Sequence, residues 1–258
     1  AEEVESLRGR LVARHGLAPD TTSEALQAHL NRLHRVPSER GNVQDILDRY
    51  EEERARVRAF CEETGLFPML PDEDMKIMQT PAFLASVIPA GAMETPAPFR
   101  SGTKTSLVYL TLTERAFEEH DQLSIPSMMI HEGIPGHHLQ LATAACHSSI
   151  VRRHAWFAHH GEGWTTMLED YMLDVGYVEA LTDEVRFVGK RDIARLGARV
   201  AIDLFFMTGN RDYLSVGVPC DISAEDPFEA AGNLLRTVTG FTEGRTRGEV
   251  SWYSVERG

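Results

Sequence analysis

No apolar run in this sequence approaches the ~18 residues needed to span a bilayer, so no membrane helix is expected. Basic residues are scarce: 26 Lys and Arg stand against 39 Asp and Glu, for a net charge of -13. A phosphate backbone would be repelled, which argues against a nucleic-acid partner. The three cysteines, Cys61, Cys146 and Cys220, are odd in number and form no CxxC pair, so neither a disulfide framework nor a zinc ribbon is indicated. They read as reduced, mostly buried thiols, which favours the cytoplasm. A signal peptide is missing too, because Ala1-Glu2-Glu3-Val4-Glu5 is acidic and amphipathic. The start lacks an initiator methionine, which points to a removed upstream segment. There is no internal repeat and no low-complexity tract. Finally, the His-Glu-x-x-His pattern of zinc proteases is absent, although half of it is present.

What remains is an ordinary globular composition. The 258 residues, 42% hydrophobic and 25% charged, fit one large domain or a catalytic domain with a smaller lobe. The lobe is placed at residues 1–66. Val4, Leu7, Leu11 and Val12 share a helical face, and Thr21-x-x-Glu24 forms a capping box before Leu26, Leu30 and Leu33. A longer helix starts near Asn42 and stops at Gly65, with the charged run from Glu51 to Arg56 as its solvated face. Residues 67–258 form the second domain. Prolines at 68, 71, 81, 89, 96 and 98 favour extended segments, and Phe83–Ile88 and Ser106–Leu112 are the strand candidates. Helices are expected over 126–146, 150–174, 178–207 and 227–238, with breaks near Gly176 and Gly209. The fold class is mainly α, with a small β-sheet beside the histidine motif, and a sheet edge there could accept an extended peptide.

The motif is His131-Glu132-Gly133-Ile134-Pro135-Gly136-His137-His138. Imidazoles and carboxylates are zinc ligands, and a glutamate beside a ligating histidine can act as general base on an activated water. On a regular helix His131 and His138 would share a face about 10 Å apart, and His131 and His137 would diverge by roughly 120°. Neither pair could close on one ion, so the helix must be distorted between them. Pro135 removes a backbone donor and Gly136 tolerates unusual dihedrals. If Pro135-Gly136 is a two-residue insertion, His137 is the second ligand; if the helix merely kinks, His138 is. The insertion is the preferred reading.

Two histidines leave zinc short of a third ligand, and Glu162 in Gly161-Glu162-Gly163-Trp164 supplies it from the next helix. Glu169, seven residues on and nearly on the same face, could ligate instead or support a ligand from behind. Three protein ligands leave one position for water, and Glu132 is the candidate general base. The pair His159-His160 is a weaker candidate for support or substrate contact. Tyr109, on the second strand candidate, and Arg199 are candidate substrate contacts; Arg199 could bind a substrate carboxylate or pair with Asp203 one turn away.

The run from His131 to Gln140 resembles the hallmark of the bacterial domain of unknown function 885. That resemblance implies a zincin-like, predominantly helical metallopeptidase fold, related to thimet-oligopeptidase-like and carboxypeptidase Taq-like enzymes. It also supports His137 as ligand, since the position of His138 varies in the family. Glu162-Gly163-Trp164 with Glu169, then Arg199 with Asp203, then Glu249-Val250 with Tyr253, resemble further signatures, from about residue 75 onward. Three features depart from the family: Met207 stands where a histidine is usual and Met167 where a tyrosine is usual. The chain also ends at Gly258, before the expected Pro-Gly-Gln stretch and its oxyanion-donating tyrosine, as a chain truncated at that end would. The expected function is therefore a Zn2+-dependent hydrolase acting on a peptide or small amide. A non-proteolytic metal hydrolase, or a degenerate zinc-binding interaction protein, is the alternative.

Overall fold

The computed structural model describes residues 2–85, 87–88, 90–112 and 116–255. It is mainly helical. Helices α1 (Glu2–Arg14), α2 (Ser23–Leu33) and α3 (Gln44–Thr64) open the chain. In α1, Leu7, Leu11 and Val12 are buried and three glutamates occupy the first turn, where they complement the positive end of the helix dipole. Thr22, not Thr21, caps α2: its Oγ1 accepts from the Ala25 amide at 3.2 Å. Glu24 then falls at the second helical position, too early to close a capping box, and instead accepts from Arg191 at 3.1 Å. Helix α3 stops where its sequence indicates, at Gly65 in the left-handed region (φ 63°). The run from Glu51 to Arg56 is not wholly solvated. Glu53 is fully buried, accepting from Arg56 at 2.6 Å, Arg49 at 3.1 Å and the Tyr177 hydroxyl at 2.6 Å. A buried carboxylate is tolerated because two guanidiniums and a phenol replace its water.

A three-stranded sheet follows, in the order β1 (Glu73–Gln79), β3 (Lys104–Leu110), β2 (Gly91–Glu94). β1 runs parallel to β3, with Met75 opposite Ser106, and β2 runs antiparallel to it, with Ala92 opposite Tyr109. Residues of β3 alternate between buried and half-buried, so Ser106, Val108 and Leu110 face inward. The expected strand at Phe83–Ile88 does not form. Its described residues make turns instead, with the Leu84 amide bonded to Pro81 O at 2.8 Å and the Ile88 amide to Leu84 O at 3.0 Å; Ser86 lies outside the described residues. Its apolar residues run consecutively rather than alternating, and Phe83 is 79% exposed, so no pleated face is available to bury.

Beyond the sheet come α4 (Ala116–Glu119), α5 (Ser124–Met128), a π-helical turn (Met129–Gly133), α6 (His137–Ala145), α7 (Ile150–His154) and α8 (Ala158–Asp174). The long helix expected over 126–146 is thus in three pieces, and that over 150–174 is broken at Ala155–Phe157. Helix α9 (Thr182–Thr208), α10 (Pro227–Thr239) and α11 (Glu243–Val255) complete the chain; α11 was not expected. Among the described residues no helix is long and apolar enough to cross a membrane. The three cysteines are free thiols, but Cys146 is exposed rather than buried.

Two compact units interleave along the chain: residues 1–29, 81–90 and 187–258, and residues 30–80 and 91–186. The second unit holds the sheet and the histidine motif. In its core Met75, Val108 and Leu110 of the sheet pack with Ile46 and Tyr50 of α3 and with Ile125 and Met129. Replacing Glu53 by Ala removes the buried acceptor of Tyr177 and of two partly exposed arginines, and is expected to cost about 1–3 kcal/mol in urea unfolding. Glu52→Ala, on the exposed side of the same turn, should stay within about 0.5 kcal/mol.

Candidate metal centre

Asp121 starts α5 by accepting from the Leu123 and Ser124 amides, each at 2.9 Å. Ile125, Met129 and Ile130 are fully buried and fix this helix against the core. Its continuation widens into the π turn, which accommodates an extra residue and leaves His131 and Glu132 half-buried rather than in the core. The helix then ends. Ile134 is extended (φ -110°, ψ 129°), the Ile134–Pro135 peptide is cis, and α6 starts afresh at His137. Gly136 makes this reversal sterically possible. A Cβ there would lie 2.0 Å from His131 O and 2.1 Å from Ile130 O, both backbone atoms, so no other residue fits. The result brings the His131 and His137 rings to 4.9 Å, edge to face.

Helix α8 supplies the remaining groups. Glu162 Oε2 lies 3.4 Å from His131 Nε2 and 3.6 Å from His137 Nε2. One ligand atom from each of His131, His137 and Glu162 lies within 4.8 Å of the others. Ligands at about 2.0–2.1 Å around a tetrahedral ion sit about 3.3–3.4 Å apart, close to the two separations found here. On its other side His131 donates from Nδ1 to Glu169 Oε1 at 2.7 Å, which leaves Nε2 directed at the cluster. The Thr165 hydroxyl lies 3.2 Å from the same Nε2. The Nδ1 of His137 is buried without a hydrogen-bond partner, while its Nε2 faces Glu162. Trp164 Nε1 donates to Pro135 O at 3.1 Å and ties α8 to the chain reversal.

The electrostatics favour a cation. Burial alone would lower the His131 pKa, but Glu162 and Glu169 outweigh it and raise the value to about 10. Glu162 is held well below the usual carboxylate range by His131 and then His137. Burial pushes the Glu132 carboxyl up, against the opposing pull of His131 and His137. The carboxylates of Glu162 and Glu169 thus favour a positive charge at His131, and a metal ion could supply it in place of a proton.

All of residues 1–258 match the family described as "Bacterial protein of unknown function (DUF885)". The chain belongs to DUF885. The match begins at residue 1, upstream of the resemblance expected from about residue 75 onward. The chain also resembles, with TM-score 0.73, the structure described as "the putative lipoprotein from Colwellia psychrerythraea". The two are 18% identical over 98% of this chain and 40% of the other, so this sequence spans two-fifths of that protein's length and the likeness concerns the fold. No curated protein matches the chain.

In this DUF885 chain His138 turns away from the cluster. It is fully buried, donating from Nε2 to Glu73 Oε2 at 2.5 Å and accepting at Nδ1 from the Ser106 hydroxyl at 2.7 Å. Arg58 pairs with the same Glu73. Glu169 stands behind His131 rather than with the ligand atoms, and His159 and His160 are exposed. Tyr109 donates to Glu94 at 3.1 Å from the half-exposed face of β3, opposite the face on which Ser106 holds His138. Arg199 belongs to the other compact unit; it makes no ion pair with Asp203 and lies over the Tyr253 ring at 5.0 Å. Sequence reasoning missed Thr165, which helical spacing from Glu162 could have revealed, and Glu73 and Ser106, which only the folded sheet brings to His138.

Gly136→Ala is expected to cost more than about 4 kcal/mol or to prevent folding. Gly163→Ala, with nothing within 4 Å of its Cβ, should instead stabilise α8 by roughly 0.5–1 kcal/mol. Urea unfolding of the two variants checks both signs.

Proposed function

We propose that this protein is a zinc-dependent hydrolase of zincin-like type that cleaves amide bonds in peptides or small amides. The observation that carries the reading is the convergence of His131, His137 and Glu162, with Glu169 fixing the back of His131. Donors of two imidazoles and one carboxylate match a zinc site that keeps one position open. Zinc bound there would act as a Lewis acid and lower the pKa of a coordinated water to about 7. Glu132, adjacent in sequence to one ligand and half-buried, takes the proton from the attacking water and passes it to the leaving amine. Glu169 keeps the His131 Nδ1 proton and so commits Nε2 to the metal. The cytoplasm is the compartment proposed, and the absence of disulfides among the three cysteines is compatible with it; the description of the Colwellia protein as a putative lipoprotein makes the cell envelope the compartment to compare.

The expected result is one zinc per chain and cleavage of members of a peptide library. Glu132→Gln should keep the zinc and lose roughly 10²–10⁴-fold in rate. A zinc-loaded Glu132→Gln protein with full activity would sink the general-base role. Zinc binding without any peptide cleavage by the unaltered protein would move the substrate to small amides.

A further inference from the structure

The link between α7 and α8 carries a feature that the hydrolase reading does not use. The chain is extended at Ala155 (ψ 124°) and Phe157 (ψ 108°), and this sets Trp156 against the metal centre. Its ring lies on Gly161, where a Cβ would come within 2.1 Å of Trp156 Cη2. It also meets His137, with centroids 5.6 Å apart at 61°. Trp156 therefore packs on one proposed ligand and on the residue preceding another, Glu162. Yet the side chain is not core: Trp156 is 47% exposed and Phe157 60%. Helix α7 buries none of its residues, Ile150 and Val151 are exposed, and Phe99, 60% exposed, lies over His154 at 6.0 Å. Apolar surface left in water beside a polar cluster marks a binding wall rather than packing. Residues 133–161 contain no Asp or Glu, so nothing in this stretch would hold a basic group.

We infer that Trp156 is the apolar wall of a substrate subsite, and that the substrate presents a large apolar side chain, aromatic or branched aliphatic, beside the bond that is cut. This rests on the hydrolase reading and adds a substrate class to it. Gly161 and His137 occupy part of the indole, and the exposed remainder is the surface a substrate side chain would cover.

N-acetylphenylalanine hydroxamate and N-acetylglycine hydroxamate share a metal-binding group and differ only in the side chain. Calorimetric titration of the zinc-loaded protein should show the phenylalanine ligand binding about tenfold tighter or more. In Trp156→Ala the ratio should fall to about twofold or less, and Trp156→Phe, which keeps an aromatic wall, should retain most of the preference. No preference in the unaltered protein, or an unchanged ratio in the alanine variant, would overturn the subsite while leaving the metal centre standing. Failure of both hydroxamates to bind zinc-loaded protein would overturn the open metal position that the hydrolase reading requires, and the subsite with it.

Discussion

The backbone of Gly136 passes so close to the carbonyls of Ile130 and His131 that a single methyl group would overlap both. Everything at the candidate centre depends on this contact. A continuous helix would point His131 and His137 in divergent directions. The π turn, the extended Ile134 and the return at Gly136 instead fold the segment back on itself, so that two imidazoles six residues apart meet edge to face at 4.9 Å. The Pro135-Gly136 pair is thus a complete break between two helices rather than a kink within one.

Such a break needs fastening on both sides, and buried polar contacts provide it. Upstream, Ile125 and Met129 pack with sheet residues in the core, and Ile130 is fully buried. Downstream, His138 is locked between Ser106 of β3 and Glu73 of β1, and Glu73 is in turn paired with Arg58 of α3. The side-chain oxygens of Glu73 are thereby engaged by a ring nitrogen and a guanidinium, which offsets much of the cost of burying a carboxylate. Across the cluster, Trp164 holds Pro135 while Glu162, Thr165 and Glu169 approach from the same helix. The adjacent histidines therefore have separate tasks: His137 faces the cluster, and His138 anchors α6 to the sheet.

Much of this was legible in the sequence. Helix spacing located α1, α3, α9 and α10, the glycine at 65 marked a real helix end, and the preferred insertion reading of Pro-Gly turned His137, rather than its neighbour, toward the cluster. Other parts were not legible, because they depend on groups distant in sequence. Glu53 looks like one more charge in a solvated run until Arg49, Arg56 and Tyr177 surround it. Strand β1 is concealed by Glu73, Asp74 and Lys76 and is made a strand by pairing with β3. Phe83–Ile88 carries strand-forming residues but has neither alternation nor a buried face. Trp156 gives no sequence signal at all; its place beside His137 follows from the break at Ala155–Phe157 and from the room that Gly161 leaves.

The central claim is that His131, His137 and Glu162 bind one metal ion together. X-ray absorption spectroscopy of the zinc-loaded protein tests it most directly. The account requires four light-atom ligands at about 2.0–2.2 Å, with multiple-scattering features of two imidazoles and no sulfur. In His137→Ala the signature should fall to one imidazole, whereas in His138→Ala, if folded, it should stay at two. A zinc–sulfur distance near about 2.3 Å, or a two-imidazole signature that survives His137→Ala and is lost in His138→Ala, would contradict it.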